Sequence, residues 1–453
     1  MAGHSSHSSD PSRALDARSE KRQFARGGET GQDLLSDPQF SRLHADRLLS
    51  ILGVRHSQNG QPKSEVKVSS SPESAQIRRS NPKIADLFSG VGGFSLGAAR
   101  AGFDVAIAID LDQHAIAGHK KNFPLAKHSR RNISNLSGDA LLRIAKLGDE
   151  KLVGIIGGPP CQGFSTMGRR RKNDKRNPLF LHFFRLVAET KPVFFVAENV
   201  PGILHENYDK LRRDALKLVS LNYDVVGPFK LCASEFGAAT IRSRVFFVGI
   251  AKSCNIELSI QDFESKKLRQ KNSVRIALSG LTPRVKPTWQ SEKSSWRQVE
   301  ESDSEFFIAI NRFCDESVGD PKAIARFTEK LEASGFFGTQ HTTDVIDRFS
   351  VLTGGKTDRI SKFPRLKWDG LCPTLRAGTD KHKGSYQAVR PIHPDEDRVI
   401  TPREAARLQG FPDWFQFSPT KWHSFRQIGN SVSPFVAEAV LDVIQKKLSN
   451  VLR

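Results

Sequence analysis

Residues 83–110 of the chain, KIADLFSGVGGFSLGAARAGFDVAIAID, decide the fold. The apolar run Ile84–Phe88 predicts a strand, the helix-period segment Phe94–Ala101 predicts a helix, and Asp104–Ile109 predicts a second strand. A glycine-rich turn joins the first strand to the helix. Strand, helix and strand in this order form one crossover of a parallel sheet, because the helix carries the chain back to its starting edge.

The same alternation continues to about residue 250. Helices are predicted over Gln113–Lys121, Leu179–Thr190 and Leu211–Val219, and strands over Val153–Gly157, Val193–Ala197, Tyr223–Cys232 and Arg244–Ile250. A glycine-containing loop joins the last two strands, which are therefore predicted to pair as a hairpin. The pattern predicts an α/β fold with a mostly parallel, Rossmann-like sheet covered by helices on both faces.

The flanking segments have different compositions. Residues 1–82 are rich in Ser, Gln and Arg and poor in aromatic side chains, which predicts a disordered tail. Residues 83–250 are predicted to form the core, and the polar, loop-rich residues 251–395 a smaller domain in which basic and aromatic residues alternate. Residues 396–423 are predicted as a hinge region that contains a helix over Pro402–Gly410. A C-terminal segment, 424–453, is predicted to return to the core as a helix.

The composition favours a folded protein that binds a polyanion. Among 453 residues, Lys and Arg number 69 and Asp and Glu 49, a formal net charge of +20. That excess points most simply to nucleic acid, although it also fits a protein that is merely basic. The apolar runs are too short to cross a bilayer, the N-terminus has no apolar signal-peptide region, and the five cysteines lack CxxC spacing. We therefore expect a cytoplasmic protein with no membrane partner, no disulfide scaffold and no metal site.

The glycine-rich turn is a candidate ligand site. Gly90, Gly92 and Gly93 would let a ligand approach the backbone, and Asp110 follows Gly90 by 20 residues, at the end of the next strand. An acid at that place commonly holds a ribose hydroxyl. The spacing is not G-x-G-x-x-G, so a nucleoside cofactor without a pyrophosphate fits better. A glycine-rich turn of an unrelated α/β protein explains this segment equally well.

Two further strand ends carry reactive side chains. Cys161 lies in GGPPCQGFS (157–165) after a predicted strand, where ligands bind in open α/β sheets and where a thiolate can act as a nucleophile. Glu198 ends the strand of AENV (197–200), and a buried carboxyl group there can exchange a proton. Taken singly, a buried structural cysteine and a helix-capping glutamate are the alternatives.

Basic residues cluster at two places near these strand ends. Arg242 and Arg244 lie on the same side of a predicted strand, where they suit an anionic or carbonyl-bearing substrate. The loop 169–176, RRRKNDKR, follows Cys161 and is suited to a phosphate backbone. A solvated basic surface is the alternative for both. Near the C-terminus, TPREAARLQGFP (401–412) and QIGNSV (427–432) precede the last helix, the second with a predicted Gly-Asn turn.

Together these segments resemble the S-adenosylmethionine-dependent DNA cytosine-5 methyltransferases. DLFSGVGG, GGPPCQGFS, ENV, RSR, RLQGFP and GNSV stand in that family's order from about Lys83 to the end. The resemblance implies an S-adenosylmethionine methyltransferase core and a smaller, loop-rich DNA target-recognition domain. It also implies methyl transfer to C5 of a cytosine flipped out of a specific duplex sequence, since its reactive atoms are otherwise stacked.

The resemblance also assigns roles to residues. It implies that Cys161 attacks C6 of the cytosine, that Glu198 binds the N3 edge, and that Arg244, helped by Arg242, stabilises charge. The implied cofactor residues form a larger set: Phe88, Gly90, Gly92, Gly93, Asp110, Asn132, Pro160, Asn430, Ser431 and Val432. The implied DNA contacts are Gln162, Ser165, Arg169, Arg170 and Arg171.

Two positions depart from the family's pattern. The family usually has Gln two residues before the first Arg of its paired-Arg motif, and this chain has Thr240, which puts one hydrogen bond in doubt. The family tends to place an acid after the third strand to contact the adenine amine, and Asn132 stands at the matching place. An amide oxygen can still accept that hydrogen bond.

Other functions remain open at this stage. The tRNA-methylating branch of the same fold and a non-catalytic DNA-binding relative are the alternatives, although the Cys-Phe-Thr signature of the first is missing. Intact Cys161, Glu198 and Arg244 disfavour the second. We expect a monomeric bacterial modification enzyme that acts on double-stranded DNA and is functionally paired with a restriction endonuclease. The recognition sequence depends on loop geometry that the sequence does not encode in readable form.

Overall fold

A computed structural model describes residues 81–160, 177–314, 317–377 and 390–449. Its first part contains a seven-stranded sheet of order β3-β2-β1-β4-β5-β8-β6. The strands are β1 (Lys83–Leu87), β2 (Asp104–Asp110), β3 (Lys127–Arg130), β4 (Leu152–Gly157), β5 (Phe194–Asn199), β6 (Tyr223–Cys232) and β8 (Ser243–Ala251), and the short β7 (Thr240–Ile241) lies outside the sheet. Strands β1 to β5 are parallel, while β8 is antiparallel to both β5 and β6. The predicted mostly parallel sheet and its terminal hairpin are therefore confirmed.

Helices cover both faces of this sheet. The helices of the first part are α1 (Gly93–Arg100), α2 (Gln113–Asn122), α3 (Gly138–Ala145), α4 (Asn177–Thr190) and α5 (Asp209–Lys217). On one face, Phe94 of α1 and Val440 of the C-terminal helix belong to one buried apolar cluster. On the other, Phe183 of α4 and Leu141 of α3 belong to another. Phe180, Phe184 and Val187 of α4 recur at helical spacing, so this helix buries one side against the sheet.

Two elements of the core were not predicted. Strand β3 has the sequence KHSR, with no buried side chain, and it pairs only with β2 at the edge of the sheet. Helix α3 is eight residues long and follows a short loop, with Ser137 as its N-cap. Strand β3 has no apolar residue, so periodicity does not detect it. Helix α3 is amphipathic, with Leu141 and Ala145 buried, but it spans only about two turns.

Most residues beyond β8 form short helices and two small ribbons around a further apolar cluster, while the 16-residue C-terminal helix packs on the sheet. The helices are α6 (Ile260–Glu264), α7 (Val274–Leu278), α8 (Glu305–Asn311), α9 (Pro321–Lys330), α10 (Thr343–Ser350), α11 (Pro402–Gln409), α12 (Lys421–Asn430) and α13 (Pro434–Ser449). Strand β9 (Arg297–Gln298) pairs with β10 (Glu332–Ala333), and β11 (Cys372–Pro373) pairs with β7. Trp414, Phe336 and Val274 share the apolar cluster. In the described part of the chain, no helix is long and apolar enough to cross a membrane.

The predicted Gly-Asn turn before the last helix is wrong. Gly429 and Asn430 are the last two residues of α12. A Cβ atom on Gly429 would lie 2.5 Å from the backbone nitrogen of Ala377. The glycine is therefore needed because another segment's backbone packs against the helix, and not because the chain turns there.

A buried ion network holds the segment 398–413. Both carboxylate oxygens of Glu404 accept from Arg398, at 2.8 and 2.9 Å. Arg407 donates to both oxygens of Asp413, with its closest contact at 2.7 Å. Arg403 donates to the carbonyls of Ser334, Pro412 and Phe415. Because each of these charges has partners, the segment can be buried without an uncompensated ion.

Candidate active site

The glycine-rich turn leaves an open space in front of the backbone. Phe88, Gly90 and Gly92 all have positive φ, at 63°, 56° and 104°. A Cβ atom on Gly90 would meet nothing within 4 Å, whereas one on Gly92 would lie 2.4 Å from the ring of Phe123. Gly92 is thus required by packing, and Gly90 is placed where a ligand has room.

The turn and the segment before the last helix lie against each other. A Cβ atom on Gly93 would lie 2.4 Å from the carbonyl oxygen of Val432 and 3.0 Å from the Cβ of Ser431. Asn430, the next residue upstream, is exposed. Segments more than 330 residues apart, both predicted to hold the cofactor, are thus brought together.

Asp110 is bound to the same turn. Its two oxygens accept from the backbone N–H of Gly90 at 2.9 Å and from that of Asp112 at 2.8 Å. Burial raises the pKa of Asp110, although these N–H groups oppose the rise. Each oxygen keeps a second lone pair, so the carboxylate can still accept from a ligand hydroxyl.

Asn132 follows β3, the strand beside β2. Its side chain is exposed and accepts from the backbone N–H of Ser134 at 3.0 Å. It therefore lies on the same sheet edge as Asp110, with its amide nitrogen available to donate and its oxygen already in use once.

Glu198 and Arg244 form a buried ion pair at the ends of β5 and β8. Glu198 is 8% exposed, and its Oε1 lies 2.7 Å from Nε of Arg244. Burial raises the pKa of Glu198, while Arg244 and, more weakly, Arg242 oppose the rise. The pairing of antiparallel β5 and β8 sets Glu198 opposite Phe246, two residues from Arg244. The carboxyl group is held in place and yet is poised to exchange a proton.

The end of β4 approaches this pair. A Cβ atom on Gly158 would lie 2.8 Å from Oε2 of Glu198, and the side-chain amide of Asn199 donates to the carbonyl of Pro159 at 3.4 Å. Pro160, the last described residue of this loop, is half-buried. The predicted nucleophile Cys161 lies outside the described residues, as do Gln162, Ser165, Arg169, Arg170 and Arg171.

Arg242 contacts a different set of groups from those that Arg244 contacts. Its guanidinium donates to the carbonyls of Leu375, at 3.1 Å, and of Gly429, at 2.9 Å, and it is 2% exposed. The expectation that both guanidinium groups serve a substrate stays a prediction: Arg242 precedes β8 and contacts these backbone carbonyls, and it also opposes the rise in the pKa of Glu198. Thr240, the departure from the family's pattern, donates to the carbonyl of Cys372 at 3.0 Å and so helps to join β7 to β11.

Sequence reasoning missed a buried polar chain behind the glycine turn. Ser95 donates to Oδ2 of Asp86 at 2.6 Å and lies 2.9 Å from Nε2 of His119. Nδ1 of His119 lies 2.9 Å from Nε2 of His128. Asp86 is the one charged residue among the buried positions of β1, whose other buried residues are apolar, and that pattern could have been used to find it.

Basic and aromatic side chains of the second part stack in pairs. The guanidinium carbon of Arg297 lies 3.2 Å from the ring centre of Trp289, and that of Arg326 lies 4.1 Å from that of Trp296. Such stacking orders the cations and keeps their charge.

Known proteins resemble this chain across the sheet and the residues beyond it. A family model described as C-5 cytosine-specific DNA methylase matches residues 82–446. The Type II methyltransferase M.XorII of Xanthomonas oryzae pv. oryzae is 37% identical over 365 residues, covering 80% of this chain and 84% of that protein. The Type II methyltransferase M1.HphI of Haemophilus parahaemolyticus is 31% identical over 373 residues, covering 81% and 87%.

Solved structures agree with these relatives. An E. coli protein described as a DNA modification methyltransferase encoded within a prophage is 47% identical, with a TM-score of 0.73, and the match covers 82% of this chain and 99% of that one. The Dnmt2 methyltransferase of S. pombe is 18% identical with a TM-score of 0.52, covering 82% and 98%, and it shares the fold.

Proposed function

Because the chain belongs to the C-5 cytosine-specific DNA methylases, we propose that S-adenosylmethionine is its methyl donor and that its substrate is a cytosine flipped out of duplex DNA. We further propose that it recognises a specific sequence and acts as the modification enzyme of a restriction-modification system. The names of two relatives, both Type II methyltransferases, support the second point.

The glycine turn fits the proposed cofactor. Within the described part of the chain, Oδ1 of Asp86 and Oγ of Ser89 are buried polar atoms without a hydrogen-bond partner, and both lie in the segment that enters the turn. Buried polar atoms of this kind are normally paired, so a ligand with donor groups suits the place. Asp110 would accept from the ribose hydroxyls and Asn132 would contact the adenine. Phe88, Gly90, Gly92, Gly93, Pro160, Asn430, Ser431 and Val432 would line the remainder. When bound, the cofactor would supply an electrophilic methyl group.

The observation that carries the proposal is the buried Glu198–Arg244 pair beside the β4 loop. In the proposed mechanism, Glu198 holds the N3 edge of the base, in a protonated form that burial favours. Arg244 fixes the orientation of that carboxyl group. Cys161, four residues beyond Gly157, attacks C6 as a thiolate, which makes C5 nucleophilic. After methyl transfer, a base removes the C5 proton and Cys161 leaves.

The role proposed for Arg242 is indirect. Its bonds to the carbonyls of Leu375 and Gly429 join the segment after β11 to the end of α12. It would therefore position the cofactor-side segment and the Arg244 strand relative to each other, while Arg244 would contact Glu198 directly. The DNA backbone would be contacted by Gln162, Ser165 and the run Arg169, Arg170 and Arg171.

The test uses tritiated S-adenosylmethionine with mixed-sequence duplex DNA. The unaltered protein, Cys161→Ser and the matched control Cys254→Ser are compared, and the labelled base is identified. Label at C5 of cytosine that is lost only in Cys161→Ser is the expected result, and mapping the labelled sites gives the recognition sequence. Label in RNA and not in DNA, or equal labelling by Cys161→Ser, would contradict the proposal.

A further inference from the structure

A chain of four polar side chains extends from the glycine turn towards solvent. Asp86 ends it on the inside, Ser95 of α1 and His119 of α2 are fully buried, and His128 of β3 is partly exposed. The three contacts between successive members measure 2.6, 2.9 and 2.9 Å. All are within normal hydrogen-bonding distance, so the chain is continuous from Asp86 to the surface.

The directions of these hydrogen bonds are mutually consistent. The Ser95 hydroxyl donates to Asp86, so its oxygen can accept from Nε2–H of His119. Nδ1 of that tautomer then accepts from Nε2–H of His128. Burial lowers the pKa of His119 far below its usual value, and burial lowers that of His128 to about 4. Both rings are therefore neutral near pH 7, and each can pass a proton by exchanging one tautomer for the other.

Asp86 lacks the compensation that buried carboxylates normally have. Its Oδ1 has no hydrogen-bond partner among the residues that the structure describes. The only charged group that acts on it in the described part of the chain is Asp110, on the adjacent strand β2, which is also negative. On the other flank, β4 places apolar Ile156 opposite it. Further along the series of hydrogen-bonded side chains, Lys120 faces His128 and Phe123 packs on His119.

We propose that Asp86 changes its charge with that of the bound ligand, and that it exchanges its proton with solvent through Ser95, His119 and His128. A cationic sulfonium ligand in the turn would hold Asp86 ionised. The uncharged thioether product would let it take up a proton again. The inference rests on the proposed use of S-adenosylmethionine.

The direction follows from electrostatics. Burial raises the pKa of Asp86 to about 7, so about half of the free protein carries this proton at neutral pH. A positive charge nearby in a low-dielectric site favours the ionised carboxylate. Binding the sulfonium therefore releases a proton, and replacing it with the thioether reverses the release. Linkage then makes the protein discriminate between substrate and product more strongly as the pH rises towards 7.

The experiment compares S-adenosylmethionine with S-adenosylhomocysteine by titration calorimetry on the full chain. Each ligand is titrated at pH 7 in buffers of different ionisation enthalpy, which gives the number of protons released. The variants are Asp86→Asn and, as a matched control, Asp224→Asn, an exposed residue of β6. Proton release that persists in Asp86→Asn comes from other groups, which include Asp110 and the ligand's own amino group.

We expect the sulfonium ligand to release about half a proton more than the thioether, a difference absent in Asp86→Asn and kept in Asp224→Asn. Between pH 5 and pH 7, its Kd should fall by up to about tenfold per pH unit more than that of the thioether. Equal proton release by the two ligands, or a difference that survives in Asp86→Asn, would overturn the inference.

Two further arms keep the outcomes distinct. If neither ligand binds the unaltered protein, the proposed cofactor is wrong, and the inference falls with it. If Asp86→Asn does not fold, Ser95→Ala replaces it. Loss of the Ser95 hydrogen bond removes an interaction that lowers the pKa of Asp86, so the pH at which the Kd levels off must move upwards. If the Kd of Ser95→Ala levels off at the same pH as that of the unaltered protein, or at a lower one, the inference is contradicted.

Discussion

Carboxylates that are buried to the same degree have pKa values shifted in opposite directions in two regions of the molecule. Glu404 and Asp413 of the segment 398–413 are at most 1% exposed, and so is Asp86 at the glycine turn. Burial opposes ionisation of all three, but Arg398 and Arg407 hold the pKa values of Glu404 and Asp413 below normal.

The candidate active site lies at the catalytic edge, which is defined here as the ends of β1, β2 and β5 that carry Asp86, Asp110 and Glu198. There the effect of burial on the pKa outweighs that of the neighbouring charges. It raises the pKa values of Asp86, Asp110 and Glu198, even though Glu198 has Arg244 beside it. The sign of a shift thus depends on how many cations and donors surround the group, and not on burial alone. The network of segment 398–413 has its charges matched within the chain, whereas the catalytic edge has charges left for ligands to match.

The largest effect is expected from breaking the matched network. Asp413→Asn leaves Arg407 and Arg403 buried without their shared negative charge. The free energy of unfolding should fall by about 3–5 kcal/mol, the usual cost of removing one partner of a buried pair. Urea denaturation measures this loss, provided that the dependence of the unfolding free energy on urea concentration is the same in both proteins.

Asp224→Asn, at an exposed carboxylate, is the control for Asp413→Asn and should change stability by less than about 0.5 kcal/mol. The sign of the pH dependence gives a second check. The folded pKa of Asp413 is lowered, so its contribution exists above the unfolded pKa and is lost as the pH falls through the folded value. The variant should therefore lose less stability than the unaltered protein below about pH 4. A loss under 1 kcal/mol at pH 7 would remove the contrast between the two regions.

A similar change at the catalytic edge should affect rate and not stability. Glu198→Gln should lower the single-turnover rate of methyl transfer by about 10²–10³-fold, because a group that holds the reacting base is lost. The free energy of unfolding should change by less than about 1 kcal/mol, because burial raises the pKa of Glu198 and so disfavours its ionised form, and the amide oxygen of Gln can still accept from Arg244. A stability loss as large as that of Asp413→Asn would show that the two pairs are equivalent.

Much of this contrast was predictable from local sequence. The strand and helix periods located β1, β2, α1 and the β6–β8 hairpin, and the order of motifs brought Glu198 and Arg244 to one edge. The part of the site that could not be predicted depends on contacts between residues distant in sequence. His119 meets Ser95 across 24 residues, and Arg242 meets Gly429 across 187. Such contacts leave no periodicity in the sequence, so the hydrogen-bonded series from Asp86 to His128 and the contacts of Arg242 are visible only in three dimensions.

Asp86→Asn should sharpen the comparison by stabilising the protein. A folded pKa of about 7 against an ordinary 3.8 means that ionised Asp86 destabilises the folded state. This cost is absent below the unfolded pKa, grows as the pH rises to about 7 and is constant above it. The unfolding free energy of the variant, relative to the unaltered protein, should therefore rise by roughly 2–3 kcal/mol between pH 5 and pH 8.

Denaturation of both proteins at the two pH values provides the measurement for Asp86→Asn. Comparing differences between pH values cancels the cost of burying the new amide, which does not titrate. A relative stability that stays constant with pH would mean that Asp86 ionises as freely as an exposed carboxylate.

The smallest effect should come from a surface ion pair whose closest contact is as short as that of the buried one. Lys210 and Asp214 lie 2.7 Å apart in α5, the distance that separates Arg407 from Asp413, but their side chains are 82% and 46% exposed. Lys210→Gln should change the free energy of unfolding by less than about 0.5 kcal/mol, and 1 M salt should abolish even that difference, because water and ions screen exposed charges. Salt should leave the deficit of Asp413→Asn nearly intact. If salt reduces the stability losses of Lys210→Gln and Asp413→Asn equally, water reaches the network of segment 398–413. The contrast with the catalytic edge would then have to come from the number of hydrogen bonds alone.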